Sequence, residues 1–407
     1  MAAPALERVS ALDLIRGVAV LGILAVNVLH FSNAPSAVFT PHATSIGTAA
    51  DVGVFAAILV LFEGKMRALF SMLFGASLLL LTDRAAQTAG DGPAPVVRRL
   101  LWLAVIGYLH FLLLWDGDIL FLYAIAGLAA LPLRHAAAWP LCASGLMLFS
   151  LWQAHGLASW WPGVAREQAV LAGTAAPDAQ KAHRLVLAER RSADAQAIAT
   201  IRSGMSAQVA SKLRERPFYP LRMVATALGE TLSYVLIGMA LLRSGFFTGG
   251  WKRRQFRGMA LAGIGLGGAA TLGFATWAIP AHFPELAMVA AISYGLGFPH
   301  LLMALGYAAL LVLASRGASW LGDRLRAAGR MALTNYLATT LVMTFLFHSW
   351  GLGLAGRVPV AHLSLFVLLG WGLMLGWSPL WLRHFRQGPL EWGWRSLVEG
   401  RMLPLRR

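Results

Sequence analysis

Residues 12–31 read LDLIRGVAVLGILAVNVLHF. Wound as a helix, 20 residues rise about 30 Å, the thickness of a bilayer's hydrocarbon core. Polar side chains inside such a run are costly in lipid and are therefore candidates for function. Here they are Asp13, Arg16, Asn27 and His30. At about 100° per residue, Arg16 and Asn27 point within roughly 20° of each other, and Asp13 lies within roughly 60° of both. One helix face thus carries Asp13 and Arg16 at one end and Asn27 about 16 Å away, with His30 one turn beyond. The same groups also read as a local Asp13–Arg16 ion pair and an interhelical hydrogen bond from Asn27. Gly17 and Gly22 would admit a close neighbouring helix. The segment stands where a secretory leader would, and Ala34-Pro35-Ser36-Ala37 follows it. Charges within the apolar run and few basic residues before it predict a retained helix instead.

The pattern repeats outward from this segment. Apolar runs recur at 52–81, 100–115, 119–133, 137–154, 220–242, 258–279, 286–314, 331–350 and 362–382. The run at 52–81 is interrupted by Glu63-Gly64-Lys65-Met66-Arg67, which predicts either one long bent span or a short helix followed by a spanning one. Of 407 residues, 58% are hydrophobic and 13% charged, and the mean hydropathy is +0.64. Soluble domains average about 25% charged residues. Spanning backbone must satisfy its own hydrogen bonds, which leaves helices rather than open sheet. The expectation is an all-α polytopic membrane protein with about ten transmembrane helices. The single cysteine, Cys142, cannot form an intrachain disulfide.

The net charge of +16 would suggest nucleic acid in a soluble protein. Here the basic residues sit mainly between apolar runs, so no nucleic-acid partner is expected and a membrane surface is. One set of short connections carries most of the arginines. The alternate set, at 32–50, 280–285 and 351–361, holds Arg357 and no other basic residue. The positive-inside rule then predicts both termini in the cytoplasm. The polar stretch 155–219 reads as a helical extracytoplasmic insertion. It divides the chain into a five-helix half at 1–154, the insertion at 155–219, and a second five-helix half with a cytoplasmic tail at 220–407. Five plus five gives halves of opposite sense, the topology of inverted-repeat transporters.

Three further groups stand out. His110 precedes Trp115-Asp116-Gly117-Asp118 at an outer turn. A carboxylate beside an imidazole fixes its tautomer and prepares it as a general base. The group also reads as a solvated turn beside a packed histidine, and two carboxylates without a third ligand do not make a metal site. At the opposite end lie Arg98, Arg99, Arg330, Asn335, Tyr336, Arg386, Glu391 and Arg395. With Arg16 at similar depth they could hold phosphates or a lipid headgroup, or simply be positive-inside charge. Glu63, Lys65 and Arg67 must pair, snorkel or line a wet cavity. Phosphate-loop, zinc-protease and serine-elbow motifs are missing from the sequence.

Four stretches together resemble the YeiB-like bacterial inner-membrane proteins, a family of unknown function, over nearly the full length. They are LDLIRGVAVLGILAVN at 12–27, WDGDIL at 115–120, GRMALTNYL at 329–337 and FRQGPLEW at 385–392. The opening Asp-x-x-Arg-Gly…Asn pattern, from Asp13 to Asn27, is also distantly similar to the heparan-alpha-glucosaminide N-acetyltransferase group. That group implies a transmembrane acyltransferase that uses cytosolic acyl-CoA and a histidine base. Its histidine lies well downstream of the asparagine, whereas His30 is three residues on and His42 is farther. A histidine matching His110 is typical of YeiB-like members, which favours His110 over His30.

The resulting expectation is a membrane-embedded acyltransferase moving an acyl group from an acyl-CoA-type donor to a small-molecule, glycan or lipid acceptor. His110, Asp116, Asp118, Asn27 and His30 would form the catalytic end. Asp13, Arg16, Arg98, Arg99, Arg330 and Asn335 would bind donor phosphates. The competing expectations are an ion-coupled transporter or lipid translocator, with Glu63, Lys65 and Arg67 as cavity charges, and a non-catalytic membrane scaffold. No metal is expected. The phospholipid bilayer is the surrounding partner, and a homodimer is left open.

Overall fold

The computed structural model describes residues 10–41, 47–89 and 93–407; His42 lies outside them. The chain is all-helical, and among the described residues the one β feature is an isolated bridge between Phe385 and Arg406. The first half contains α1 (Ser10–Ser32), α2 (Ala49–Leu61), α3 (Lys65–Ala89), α4 (Ala94–Leu113), α5 (Leu120–Ala130) and α6 (Ala138–Leu171). Two helices follow outside the apolar runs, α7 (Pro177–Ile201) and α8 (Met205–Glu215). The second half contains α9 (Tyr219–Arg243), α10 (Arg253–Ala278), α11 (Glu285–Ala290), α12 (Gly297–Ala314), α13 (Trp320–Arg330), α14 (Ala332–Phe347), α15 (Val360–His384) and α16 (Pro389–Glu399). Among the described residues, seven helices are long and apolar enough to cross a membrane: α1, α4, α6, α9, α10, α12 and α15. Shorter apolar helices occupy Leu120–Leu133, Glu285–Gly295 and Ala332–Phe347.

α1 is the axis of the molecule. Of its apolar window 78% is buried, against 28% for α10 and α15, where leucines such as Leu261, Leu266, Leu365 and Leu368 stay exposed. Val20, Leu24 and Val28 of α1 share one core with Phe55, Trp115, Met343 and Leu363. Ala11, Ile15 and Ala19 share another with Leu69, Phe149 and Leu301. The expected close approaches are present. A methyl on Gly17 would overlap the Leu325 carbonyl, and one on Gly329 would overlap the Asp13 carbonyl, so α1 and α13 cross backbone to backbone. Gly22 seats the Met66 side chain. Small residues at such crossings are how helices gain contact where no hydrophobic drive separates them from lipid.

The run at 52–81 is broken into two helices, although the second, α3, is not among the seven long and apolar enough to cross. α2 ends at Leu61 and α3 begins at Lys65, with Gly64 at φ 73° between them. Gly64 also faces the His300 ring so closely that any side chain would overlap it. Thr48 and Asp51 form a capping box at the start of α2, and Asp51 also accepts the Ala361 N–H at 2.8 Å, tying α2 to α15.

The expected boundary at residue 154 falls inside α6, which runs unbroken for 34 residues. At 1.5 Å per residue that is about 50 Å, well beyond a hydrocarbon core of about 30 Å. Its far part packs against α7 and α11. There buried Glu167 accepts the backbone N–H groups of Leu286 (3.0 Å) and Ala287 (2.8 Å), capping α11. The 177–215 helices dock over one end of the bundle. Ser36 donates to Asp194 (2.6 Å), the Ser349 N–H to Ile201 (3.2 Å) and Arg202 to the Ala355 carbonyl (3.2 Å).

Candidate functional site

The end of the bundle beneath α8 is built on the α4–α5 hairpin. His110 lies in the last turn of α4, and Asp118 lies just before α5. Asp118 Oδ1 is 2.8 Å from His110 Nδ1, and Oδ2 accepts the Phe121 N–H at 2.9 Å. Both side chains are buried. A carboxylate facing Nδ1 makes that nitrogen the donor, so the neutral ring keeps its lone pair on Nε2. Nε2 is buried and has no hydrogen-bond partner among the described residues. Gly107 permits this hairpin: a side chain there would overlap the Phe121 N–H and crowd Asp118.

Around the imidazole stand Tyr336, 5.3 Å away between ring centroids, and Trp115 at 6.5 Å. The Tyr336 hydroxyl donates to the Gly117 carbonyl at 3.4 Å. Tyr336 therefore belongs to this site, not to the arginine end where its neighbours in sequence placed it. Trp115 also meets the His30 ring edge-on at 5.0 Å, so the indole is in ring contact with both histidines. Asn27, one turn before His30, stays partly accessible and makes no side-chain hydrogen bond among the described residues.

Asp116 does not share the work of Asp118. Its carboxylate pairs with Lys212 of α8 (3.0 Å) and with Arg216 just past its end (3.2 Å), and Lys212 also donates to the Phe111 carbonyl at 2.7 Å. Burial pushes the Asp116 carboxyl up, but the two cations and the hydrogen bond from Lys212 hold it below its ordinary range. Burial draws the Lys212 ammonium down, with Asp116 opposing. His348 follows α14 and faces Gln208 of α8 at 3.1 Å. Burial pulls it down to about 4, so its ring is neutral at physiological pH.

Midway along the bundle, the break between α2 and α3 is wrapped in polar groups. Lys65 is fully buried and donates to the Leu59 carbonyl at 2.7 Å, satisfying one of the last carbonyls of α2. Arg67 pairs with Glu230 of α9 at 3.3 Å, and the Tyr234 hydroxyl donates to the same carboxylate at 3.0 Å. The Arg67 side chain is 40% exposed although it stands inside the bundle, so it borders accessible space. Glu63 is buried beside Lys65 and Arg67.

At the arginine end, Arg16 pairs with Asp13 (3.1 Å) and donates to Ser77 (2.9 Å). Arg99 lies over the Trp394 ring at 4.0 Å, and Trp394 donates to the Arg99 carbonyl. Arg98 is exposed. Arg330 donates to the Arg386 carbonyl at 3.1 Å. Asn335 is buried, its amide committed to the Ala328 carbonyl and Ser378, both at 3.0 Å. Glu391 caps α14 by accepting the Leu333 (2.8 Å) and Thr334 (3.1 Å) N–H groups. Burial pushes its carboxyl up, although these hydrogen bonds oppose the shift. A cavity of about 490 Å³ opens beside α1, between α13 and α15.

The sequence reading omitted Glu230, Lys212, Arg216, Gln208 and His348. A lone carboxylate within the apolar run 220–242 was a signal for Glu230. Lys212, Gln208 and Arg216 sit in an insertion whose polar residues look alike until it is docked, and His348, near the end of the apolar run 331–350, meets Gln208 only through that docking.

With this geometry in place, comparison with known proteins gives a family. The chain is 32% identical to the uncharacterized protein YeiB of Escherichia coli K12, over 97% of each chain. It belongs to the YeiB-like family. It is also 29% identical to the uncharacterized protein YxaH of Bacillus subtilis 168, over 96% of this chain and 94% of that one. A third relative, an uncharacterized 39.9 kDa protein of the amylase 3′ region in Bacillus acidopullulyticus, is 27% identical over 98% of this chain. The family model described as "Protein of unknown function (DUF418)" matches residues 241–401. That region holds α14 and its Glu391 cap, so two of the family's sequence stretches meet in one structural unit. No solved structure matches the chain.

Proposed function

We propose that this YeiB-like protein is a membrane-embedded acyltransferase. The observation that carries the reading is the buried His110–Asp118 pair, whose Nε2 is left without a partner among the described residues. In this reading His110 Nε2 takes the proton from an acceptor hydroxyl or amine as that atom attacks the donor's thioester carbonyl. Asn27 donates its amide N–H to the oxyanion that forms. The carbon–sulfur bond then breaks, and the imidazolium returns its proton to the leaving thiolate, giving an ester or amide and free CoA. Arg16, Arg98, Arg99 and Arg330 are the cations available to the donor's phosphates. Asp118 positions the base, and Asp116 anchors α8 over the site.

The same reading sets the chain in a bacterial inner membrane, crossing about ten times. Both termini and the arginine end face the cytoplasm, and the 177–215 helices face outward. The uneven distribution of arginine between the two sets of short connections supports this orientation.

The test is to incubate purified protein with labelled acetyl-CoA and a panel of hydroxyl and amine acceptors. Wild type is expected to bind the donor and transfer label. H110A is expected to retain binding and lose transfer. Absence of donor binding in wild type overturns the proposal. A second reading, an ion-coupled transporter, is favoured by the broken α2–α3 element and the Arg67–Glu230 pair. Solute accumulation in vesicles without any acyl transfer would decide for it.

A further inference from the structure

The cavity of about 490 Å³ beside α1 lies apart from the cations assigned to the acyl donor, except Arg330 on its wall. Arg326, Arg330, Arg383 and Arg407 line it, together with Asp13 and Asp323. The two carboxylates are already matched. Asp13 pairs with Arg16 at 3.1 Å, and Asp323 pairs with Arg326 at 2.8 Å. Arg383 and Arg407 have no side-chain partner among the described residues. The position of Arg407 is fixed by its own backbone: the Arg407 N–H donates to the His384 carbonyl (3.2 Å), and the Arg386 N–H donates to Leu405 (3.0 Å). Among the described side chains, the wall therefore carries four arginines against two carboxylates.

The remaining wall is Ser10 with the apolar Ala327, Pro379 and Leu382. The flanking elements have the character of a membrane–water boundary. α13 exposes Trp320 and Leu321 while Arg324 lies over the Trp320 ring at 4.3 Å. At the end of α15 the Trp377 ring meets Trp381 at a tilt (4.9 Å), and Trp381 stacks on Phe385 (4.1 Å). Tryptophans collect at headgroup depth, and arginine forks match phosphate oxygens. We infer that this cavity binds a phosphate-ester group, with the headgroup of an anionic phospholipid as its source. Arg330 is common to this inference and the transferase reading, but Arg383 and Arg407 belong to this one alone, and neither His110 nor acyl transfer enters its test.

The test uses the purified full-length chain in neutral detergent, titrated with dihexanoyl phosphatidylglycerol, dihexanoyl phosphatidylcholine and inorganic pyrophosphate. Wild type is expected to bind phosphatidylglycerol at least tenfold more tightly than phosphatidylcholine, with affinity falling as salt rises. R383A/R407A is expected to lose about tenfold or more, since each arginine supplies charge-assisted hydrogen bonds. R254A/R401A, which removes the same charge from exposed sites off the cavity wall, is expected to bind as wild type does. H110A is expected to do the same, so failure of the base assignment leaves this result intact. Pyrophosphate displacing phosphatidylglycerol at comparable concentration upholds the phosphate site and makes a soluble phosphate its source. Equal binding of both lipids, no binding of either phosphate compound, or R383A/R407A matching wild type overturns the proposal.

Discussion

Asp118 shows how much one side chain can decide. One oxygen holds the His110 ring and the other caps the first turn of α5, so the residue sets both the tautomer and the hairpin. D118N keeps the size but cannot take both N–H groups as a carboxylate does. It should abolish acyl transfer and cost about 1–3 kcal/mol of stability. A nitrogen-15 spectrum of His110 would show the tautomer mixture, and thermal unfolding in detergent would show the loss. An unchanged spectrum would remove Asp118 from its positioning role. His348 makes a pH prediction. Its folded value of about 4 lies below the ordinary 6.5, so the unfolded chain binds the proton first as pH falls. Its contribution to stability is present above about pH 6.5 and is lost between there and about 4. H348Q should flatten the dependence of melting temperature on pH across that window.

At the scale of elements, close approach and docking govern the architecture. α1 and α13 touch through Gly17 and Gly329, with backbone atoms where a side chain would go. G17A forces those helices apart and should destabilise the protein by about 1–3 kcal/mol. Thermal unfolding would detect this, and a melting curve identical to wild type would mean that the crossing is looser than described. α8 is held over the hairpin by Lys212 and Arg216 on Asp116. K212A/R216A should release it and speed proteolytic cleavage at 205–215 while the bundle stays intact. The helices themselves were legible in the sequence: every apolar run forms helix, because the residues that suit lipid are local and consecutive. The form of the break at Gly64 was left open. Its geometry depends on the His300 ring from α12, more than 200 residues away.

The whole molecule sets two chemically different ends on one buried axis. Arg16 and Asn27 retain accessible surface on α1 although most of that helix is buried. The proposed topology can be read with cysteine labelling on a C142S background. A cysteine introduced at 185 should react with an impermeable maleimide in intact cells, and one at 254 should react only after lysis. The reverse pattern would invert the orientation. The apolar runs, their helical state, the uneven arginine distribution and a carboxylate partner for His110, from either Asp116 or Asp118, were all readable along the chain. Each rests on residues that are adjacent or within a hairpin, eight residues apart in the case of His110 and Asp118. The partners of distant groups were not readable. Arg67 and Glu230 are 163 residues apart, and Asp116 was drawn away from the imidazole by cations on a helix of the insertion. The course of α6 beyond residue 154 and the placement of Tyr336 beside His110 also belong to the tertiary structure. Hydropathy and short-range geometry are properties of a segment, whereas the pairing of buried polar groups depends on which helices pack together.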